Sequence, residues 1–263
     1  MSAAPRRRAR RIGGFTLIEL AVVTAVIALL IGSILVPLTT QVETRRISDT
    51  QKTLDDVREA LFGYALSRAT TPYLPCPDKT VADANPGTAN DGVEDVLATG
   101  NCVVLEGNVP WVTLGVGTQD AWGNRLRYRV MAGLSGHRDV NAALPAVTLT
   151  TAMTPAAGAL DVCSAPPVAG TCAAATQIAI NVPAVILSHG RNGYGAISAT
   201  GGAPLAVPAA NVDEAENLGT ADRFYVQRLQ TEATGGATEF DDIVSWVSAN
   251  ILFGRLVVGG RLP

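Results

Sequence analysis

Residues 15–36 form an almost wholly apolar run, and this run constrains the fold more than any other stretch of the chain. As a helix rising about 1.5 Å per residue, it is long enough to cross a hydrocarbon core about 30 Å thick. Five arginines and no acidic residue precede it, at positions 6, 7, 8, 10 and 11. Because positive charge favours the cytoplasmic side of a span, the sequence predicts a single transmembrane helix with a cytoplasmic N-terminus and an exported remainder.

Glu19 is the one charged residue within this run. A carboxylate in a membrane helix costs about 2.5 to 3.5 kcal/mol, and such groups are functional candidates for that reason. The run contains no cation that could neutralise it. We therefore expect Glu19 to have a partner; the alternative is that it lies among the headgroups or is protonated.

The string GGFTLIEL at residues 13–20, after a short basic leader, resembles the N-terminal signal of type IV pilins and of type II secretion pseudopilins. The resemblance implies that a prepilin peptidase cuts between Gly14 and Phe15, removes residues 1–14 and N-methylates Phe15. It also implies that Thr16 and Glu19 serve assembly, with Glu19 pairing with the new amine of a neighbouring subunit. The signal combines basic leader, glycine, aromatic residue, glutamate and span in that order.

An ordinary secretory signal peptide is the competing interpretation of the same run. Such a peptide has small residues in an A-x-A-like pattern after its apolar segment. Residues 37–41, PLTTQ, offer no such site. The span is therefore expected to stay attached to the exported part.

Beyond the span, residues 37–70 show the pattern of an amphipathic helical stalk. Apolar positions recur at spacings of three and four, and charged residues occupy the other faces. The prolines at positions 72, 75 and 77 require the helix to end before them. The predicted stripe consists of Ile47, Thr50, Leu54, Val57, Leu61 and Tyr64.

Residues 71–263 are predicted to form one exported, β-rich globular head with long loops. No amphipathic segment of helical length separates the candidate strands, which favours an antiparallel sheet. The fold class is therefore α+β, with a long N-terminal helix packed on that sheet. Residues 152–170 and 203–210 are rich in proline and small residues and are predicted to be surface loops. The candidate strands cover residues 103–105, 126–131, 147–151, 178–180, 184–188, 224–229 and 240–247.

Two segments of the head extend the resemblance. Residues 120–128, DAWGNRLRY, resemble a D-x-W-G-x-x-x-x-Y segment of major pseudopilins and related minor pilins, and residues 240–246, FDDIVSW, resemble an acidic C-terminal strand of that group. Asp120 and the glycine at 123 favour a turn, and Trp122 supplies a large ring for burial. Both segments are interpreted first as determinants of the fold.

The four cysteines, Cys76, Cys102, Cys163 and Cys172, form an even set in an exported domain, which favours disulfides over metal. Four cysteines allow three pairings. We favour Cys76 with Cys102 and Cys163 with Cys172, because each pair brackets a turn-rich loop and needs only local closure.

The acidic residues Asp91, Glu94 and Asp95 are a calcium candidate, although they lack the regular spacing of an EF-hand loop. Solvated turn chemistry is the competing interpretation. No other metal site and no cofactor is predicted.

Catalysis has little support in the sequence. Ser188 and His189 end a predicted strand, where neighbouring side chains point to opposite faces, and the same argument separates Asp241 from Asp242. There is no G-x-S-x-G elbow, phosphate-binding glycine loop or C-x-x-C motif. The sequence therefore predicts a protein that is not an enzyme.

These observations predict a structural pilin-like subunit of a type IV pilus or a type II secretion pseudopilus, and the large loop-rich head favours a minor component. The expected partners are prepilin peptidase, other pilin or pseudopilin subunits, the inner-membrane assembly platform and membrane lipid. The expected location is the inner membrane with a periplasmic head, then a filament that can reach the cell surface. Without the leader the chain has 15 basic and 23 acidic residues, which argues against nucleic acid. A membrane-anchored periplasmic binding module or enzyme is the alternative.

Overall fold

The computed structural model describes residues 14–262, except 69–70, 139, 141–143, 145, 152, 155, 157, 219–221 and 232–238. For residues 32–39 it describes the helical backbone alone. Residues 1–13 of the predicted leader, and the last two residues of the predicted stalk, therefore lie outside the described residues. The chain divides into two compact units, Met1–Arg45 and Arg46–Pro263.

The N-terminal unit contains the first part of helix α1, which spans Leu17–Ser67. The Thr16 hydroxyl accepts a hydrogen bond from the backbone N–H of Glu19 at 3.3 Å, so Thr16 caps the helix. Thr16 and Glu19 have the spacing of a capping box. Every residue from 14 to 31 is exposed, including the apolar ones. Counting only the residues described here, no helix combines the length and the apolar character needed to cross a membrane.

The C-terminal unit begins with the rest of α1, which ends at Ser67, five residues before Pro72. The predicted stripe is confirmed: Thr50, Leu54, Val57 and Leu61 are fully buried. Leu54, Val57 and Leu61 belong to the main core, which also contains Tyr128. Burial of this stripe stabilises the helix far more than its intrinsic propensity does.

The strands of the head, among the residues described, are β1 (Glu106–Asn108), β2 (Arg127–Val130), β3 (Leu160–Cys163), β4 (Gln177–Val182), β5 (Ala184–Ser188), β6 (Phe224–Val226) and β7 (Ile243–Val247). They form two small sheets. A four-stranded antiparallel sheet has the order β1-β2-β5-β7, and a three-stranded sheet has the order β4-β3-β6. In the second sheet β3 pairs antiparallel with β4 and parallel with β6.

In the described part of the head, three further α-helices accompany the sheets: α2 (Trp111–Leu114), α3 (Val212–Glu216) and α4 (Ala249–Val258). Helix α4 lies against the end of α1. The Arg255 guanidinium forms an ion pair with Glu59, and Arg261 Nε donates to the carbonyl oxygen of Leu66 at 2.7 Å. The latter bond satisfies a carbonyl in the last turn of α1, where no intrahelical partner exists.

The predicted α+β class is confirmed, with a helix packed on mainly antiparallel sheets. The structure also contains both disulfides, Cys76–Cys102 and Cys163–Cys172, in the pairing that local loop closure favours. The first closes a separation of 26 residues and the second a separation of 9. Each disulfide therefore restrains one turn-rich loop, as the spacing predicted.

Candidate functional site

The N-terminal site residues lie at the exposed start of α1. Gly14 has no heavy atom within 4 Å of the position that a Cβ would occupy, and Phe15 is 80% exposed. Thr16 caps the helix, and Glu19 is exposed in its first turn. The backbone before and after the predicted cut is therefore free of packing by the described residues.

The loop that follows α1 is organised by two buried residues, Asp78 and Lys79. The Asp78 carboxylate accepts hydrogen bonds from the backbone N–H groups of Asn90 and Gly92, at 2.9 and 3.0 Å. The Lys79 ammonium donates to Asp83 and to two backbone carbonyl oxygens, at 2.8 to 3.2 Å. Burial raises the pKa of Asp78 to about 6. This loop holds its shape by its own hydrogen bonds.

The sequence-predicted calcium candidate lies in the same loop, and its carboxylates are directed to separate partners. Asp91 accepts from the N–H of Val93, and Asp95 accepts from the N–H of Lys79 at 2.7 Å. Glu94 accepts from the Tyr64 hydroxyl at 2.7 Å and from a backbone N–H, and it contacts His137. Burial acts to raise the pKa of Glu94, but these hydrogen bonds lower it below its ordinary value. The three residues do not form a group that could hold a metal ion together.

The structure instead brings together Glu214, Asp241 and Asp242, whose ligand oxygens lie within 4.8 Å of one another. It is the one such group among the residues described. Glu214 comes from α3, and the two aspartates directly precede β7. All three are buried. Carboxylate oxygens are the donors that hard cations such as calcium and magnesium prefer.

Hydrogen bonds from three asparagines hold the cluster in place. Asn192 donates to both oxygens of Glu214, through its side chain, and its backbone N–H donates to Asp241 at 2.8 Å. Asn211 donates to Glu214, and Asn217 donates to Asp242, both at 2.7 Å.

Several atoms at the cluster are buried without a hydrogen-bond partner in the described structure. They are Oδ1 of Asp241, Oδ1 of Asp242 and both ring nitrogens of His189. His189 Nδ1 lies 3.5 Å from Asp242 Oδ1, close enough for an ion pair when the ring is protonated. Unsatisfied buried carboxylate oxygens are costly, and a bound cation would satisfy them.

Burial raises the pKa of Glu214 to about 7, and the neighbouring charge of Asp242 adds to the effect. Burial likewise raises the pKa of Asp241 to about 7. At neutral pH Glu214 and Asp241 are therefore balanced between the protonated form and the charged form that a cation would need.

This balance predicts a stability that depends on pH and on metal. Both pKa values exceed those of the unfolded chain, so the stability they confer is complete below about pH 4 and is lost as the pH rises through about 7. We expect the melting temperature in a chelator to fall between about pH 5 and pH 8, and millimolar calcium to reverse much of that fall. Thermal unfolding by circular dichroism measures both effects.

Two variants separate this cluster from the sequence-predicted one. Glu214→Gln should abolish the calcium response and flatten the pH dependence, whereas Asp91→Asn should preserve both. A calcium response that survives Glu214→Gln and disappears with Asp91→Asn would show that calcium binds in the loop after α1 and not at the Glu214 cluster.

Asp241 and Asp242 lie on the same side of the chain, contrary to the sequence prediction, for a geometric reason. The prediction placed both in a strand beginning at residue 240, where neighbouring side chains alternate. The strand begins at Ile243, so both aspartates lie in the preceding segment and can turn to the same side. The two adjacent aspartates were thus the only sequence feature that could have indicated this cluster. Nothing in the sequence around Glu214 or His189 indicated that these residues lie beside them.

Ser188 and His189 are directed to different partners. The Ser188 hydroxyl donates to Asp120 at 2.6 Å, and the His189 ring faces Asp242. Asp120 also accepts from the backbone N–H groups of Trp122 and Asn124, both at 2.9 Å. Asp120 therefore closes its own turn and ties it to β5, in keeping with its interpretation as a fold determinant.

Comparisons with models of protein families, with curated proteins and with solved structures found no match for this chain.

Proposed function

We propose that this chain is a pilin-like structural subunit, processed by prepilin peptidase and assembled as a minor component of a type IV pilus or a type II secretion pseudopilus. Its mechanism is polymerisation, in which the N-terminal helices of many copies associate and the heads cover them. The chain performs no catalysis in this role. Its partners are other pilin or pseudopilin subunits, the inner-membrane assembly platform and lipid.

One observation carries the proposal: the two parts of a single helix have opposite environments. From residue 14 to residue 31 the apolar side chains of α1 are exposed, whereas from Thr50 to Leu61 its apolar stripe is buried in the head. A helix that is apolar and exposed on all sides requires lipid or other helices around it. A subunit that is first held in a membrane and then transferred to a filament core is surrounded by lipid and afterwards by other helices.

The position of Glu19 supports the same function. The carboxylate lies in the first turn of α1, four residues after Phe15, where cleavage after Gly14 would create a new amine. Pairing between Glu19 of one copy and the amine of another would fix the stagger between copies, because an unpaired charge away from water is costly.

Exchange of the N-terminal unit tests the proposal. We expect replacement of residues 15–45 by an unrelated membrane helix to leave the head folded but to abolish incorporation into filaments. The exchange should end before Arg46, because the following part of α1 belongs to the core of the C-terminal unit. The measurement is immunoblotting of sheared filaments from cells that carry the matching assembly machinery.

The alternative, an anchored binding module or enzyme, predicts the opposite result. A module of that kind needs its anchor only for attachment, so its cellular function would survive the exchange. Near-ultraviolet circular dichroism of the exchanged chain supplies the control, since an intact head must give the spectrum of the original protein.

A further inference from the structure

A cleft of about 500 Å³ opens in the head beside the start of α4. Its walls come from the end of β4, the end of β7, the first turns of α4 and residues 149, 151 and 153. Clefts of this size commonly hold small ligands. None of the described residues that line it is charged, although the chain has 20 basic and 23 acidic residues. The cleft therefore suits an uncharged ligand.

Two aromatic rings form part of the apolar wall of this cleft. Trp246 of β7 is half-buried against a core cluster to which both sheets contribute, and Phe253 of α4 is half-buried against the main core. Because core packing holds each ring in place, the part that lines the cleft is a fixed apolar surface. Aromatic rings of this kind pack well against the C–H groups of a ligand.

Three uncharged polar side chains line the same cleft, those of Asn181, Ser248 and Asn250. Within the described structure none of these side chains forms a hydrogen bond, and the Ser248 hydroxyl does not cap α4. Amide and hydroxyl groups provide both donors and acceptors. A ligand with several hydroxyl groups, each of which also donates and accepts, would therefore match all three side chains.

The backbone holds Asn181 in an uncommon conformation. Its φ of 55° lies in the left-handed region, which residues other than glycine adopt rarely. The N–H of Asn181 donates to Asp161 at 2.8 Å, and Asp161 also pairs with Arg223. Residues held in this way are concentrated at sites that bind ligands.

The irregularity of β4 also argues against a peptide as the ligand. The pairing of β4 with β3 shifts register at two places, and the left-handed residue interrupts the strand further. A peptide that binds as an added strand needs a regular row of backbone groups. The side chains at the cleft are therefore better suited to recognise the ligand than the strand edge is.

We propose that this cleft binds a neutral saccharide of about one to three sugar rings. The C–H faces of the sugar pack on Trp246 and Phe253, and its hydroxyl groups form hydrogen bonds with Asn181, Ser248 and Asn250. The cleft lies wholly within the C-terminal unit, so binding there does not depend on polymerisation through α1.

The test is isothermal titration calorimetry of the full chain in a zwitterionic detergent whose headgroup is not a sugar. The neutral probes are maltotriose, cellotriose and tri-N-acetylchitotriose, and trigalacturonate is the charged probe. We expect a neutral probe to bind with a Kd of about 1 mM or tighter. The double variant Asn181→Gly with Asn250→Ala should weaken that binding by about tenfold or more. Glycine accepts the left-handed backbone at position 181, so this change removes the amide without adding strain.

The matched control is Asn101→Ala, which removes an exposed asparagine amide from a different loop and should leave the affinity unchanged. Hydrogen exchange of the unaltered protein is a second measurement that does not depend on the folding of a variant. The amides of residues 179–182 and 249–251 should exchange more slowly with the saccharide present, while those of residues 127–130 should not change.

Several results would overturn the proposal. They are the absence of binding by all three neutral probes, equally tight binding of trigalacturonate, full affinity in the double variant, an equal loss in Asn101→Ala, and unchanged exchange at the cleft.

Discussion

Replacing Gly14 with glutamate is expected to leave the leader attached and to strand the chain in the inner membrane. The resemblance to prepilins implies that the peptidase needs a small residue before the cut, and glutamate would place both bulk and charge there. The product should be about 1.5 kDa heavier than the mature chain, from the mass of residues 1–14. Intact-mass spectrometry of the membrane fraction measures the difference directly.

The control for this prediction is Gly14→Ala, which keeps a small side chain. Because the structure leaves the space around Gly14 open, a methyl group meets no neighbour in the described residues. The alanine variant should therefore mature normally. A mature mass in the glutamate variant would remove the basis of the pilin-like assignment.

Replacing Glu19 with valine is expected to preserve cleavage and membrane insertion but to reduce incorporation into filaments by about tenfold or more. Valine makes the predicted span more apolar, so retention in the membrane should improve. In the assembled state, however, the new amine at Phe15 would have no carboxylate partner. The measurement compares the processed chain in membranes with the chain recovered in sheared filaments.

Glu43→Val is the matched control, since it removes a carboxylate from the same helix at a distance from the cut. It should assemble as the unaltered chain does. Incorporation of Glu19→Val at the unaltered level would show that this carboxylate does not determine assembly.

The helical pattern of the sequence predicted the buried half of α1 well. The 3,4 spacing from Ile47 to Tyr64 identified the face that packs in the core. Strand β5, Ala184–Ser188, has the predicted bounds, because it is a short apolar run between a proline and a turn. In both cases the local pattern and the tertiary packing demand the same structure.

Other elements depend on tertiary contacts that the local sequence does not reveal. Strand β3, Leu160–Cys163, falls in a segment that was predicted to be a surface loop. All four of its residues are buried between β4 and β6, and a run of four residues within a segment of small residues and prolines is too short to establish a strand period. Asp161 is tolerated there because Arg223 pairs with it at 2.6 Å.

The strand predicted at residues 147–151 was wrong, because threonine side chains satisfy the backbone there. The N–H of Thr148 donates to the hydroxyl of Thr151 at 2.7 Å, and the N–H of Thr151 donates to the carbonyl oxygen of Thr148. These two local hydrogen bonds form a turn, and they use backbone groups that a strand would need for pairing.

One strand pair differs from the predicted antiparallel arrangement, since β3 and β6 run parallel. Parallel strands need a long crossover connection, which is usually a helix. The chain between these two strands is long and contains β4, β5 and α3, so it returns without such a helix.

Helix α4 was also absent from the sequence prediction. Its sequence, ANILFGRLVV, contains a central glycine and two β-branched residues at its end, all of which lower helix propensity. Burial of Leu252 and Leu256 against the core stabilises it instead. A helix that depends on packing in this way cannot be recognised from propensity alone.

The contact between α4 and α1 has a consequence for the timing of folding. Arg255 lies 196 residues after Glu59, and Arg261 lies 195 residues after Leu66. The ribosome synthesises the chain from its N-terminus. Nearly all of the head must therefore be synthesised before α4 can form and cover the last turns of α1. Contacts so distant in sequence close late and slowly. Until then the apolar face of α1 is open to non-native contacts, and a chaperone that binds this face would protect the nascent chain from aggregation.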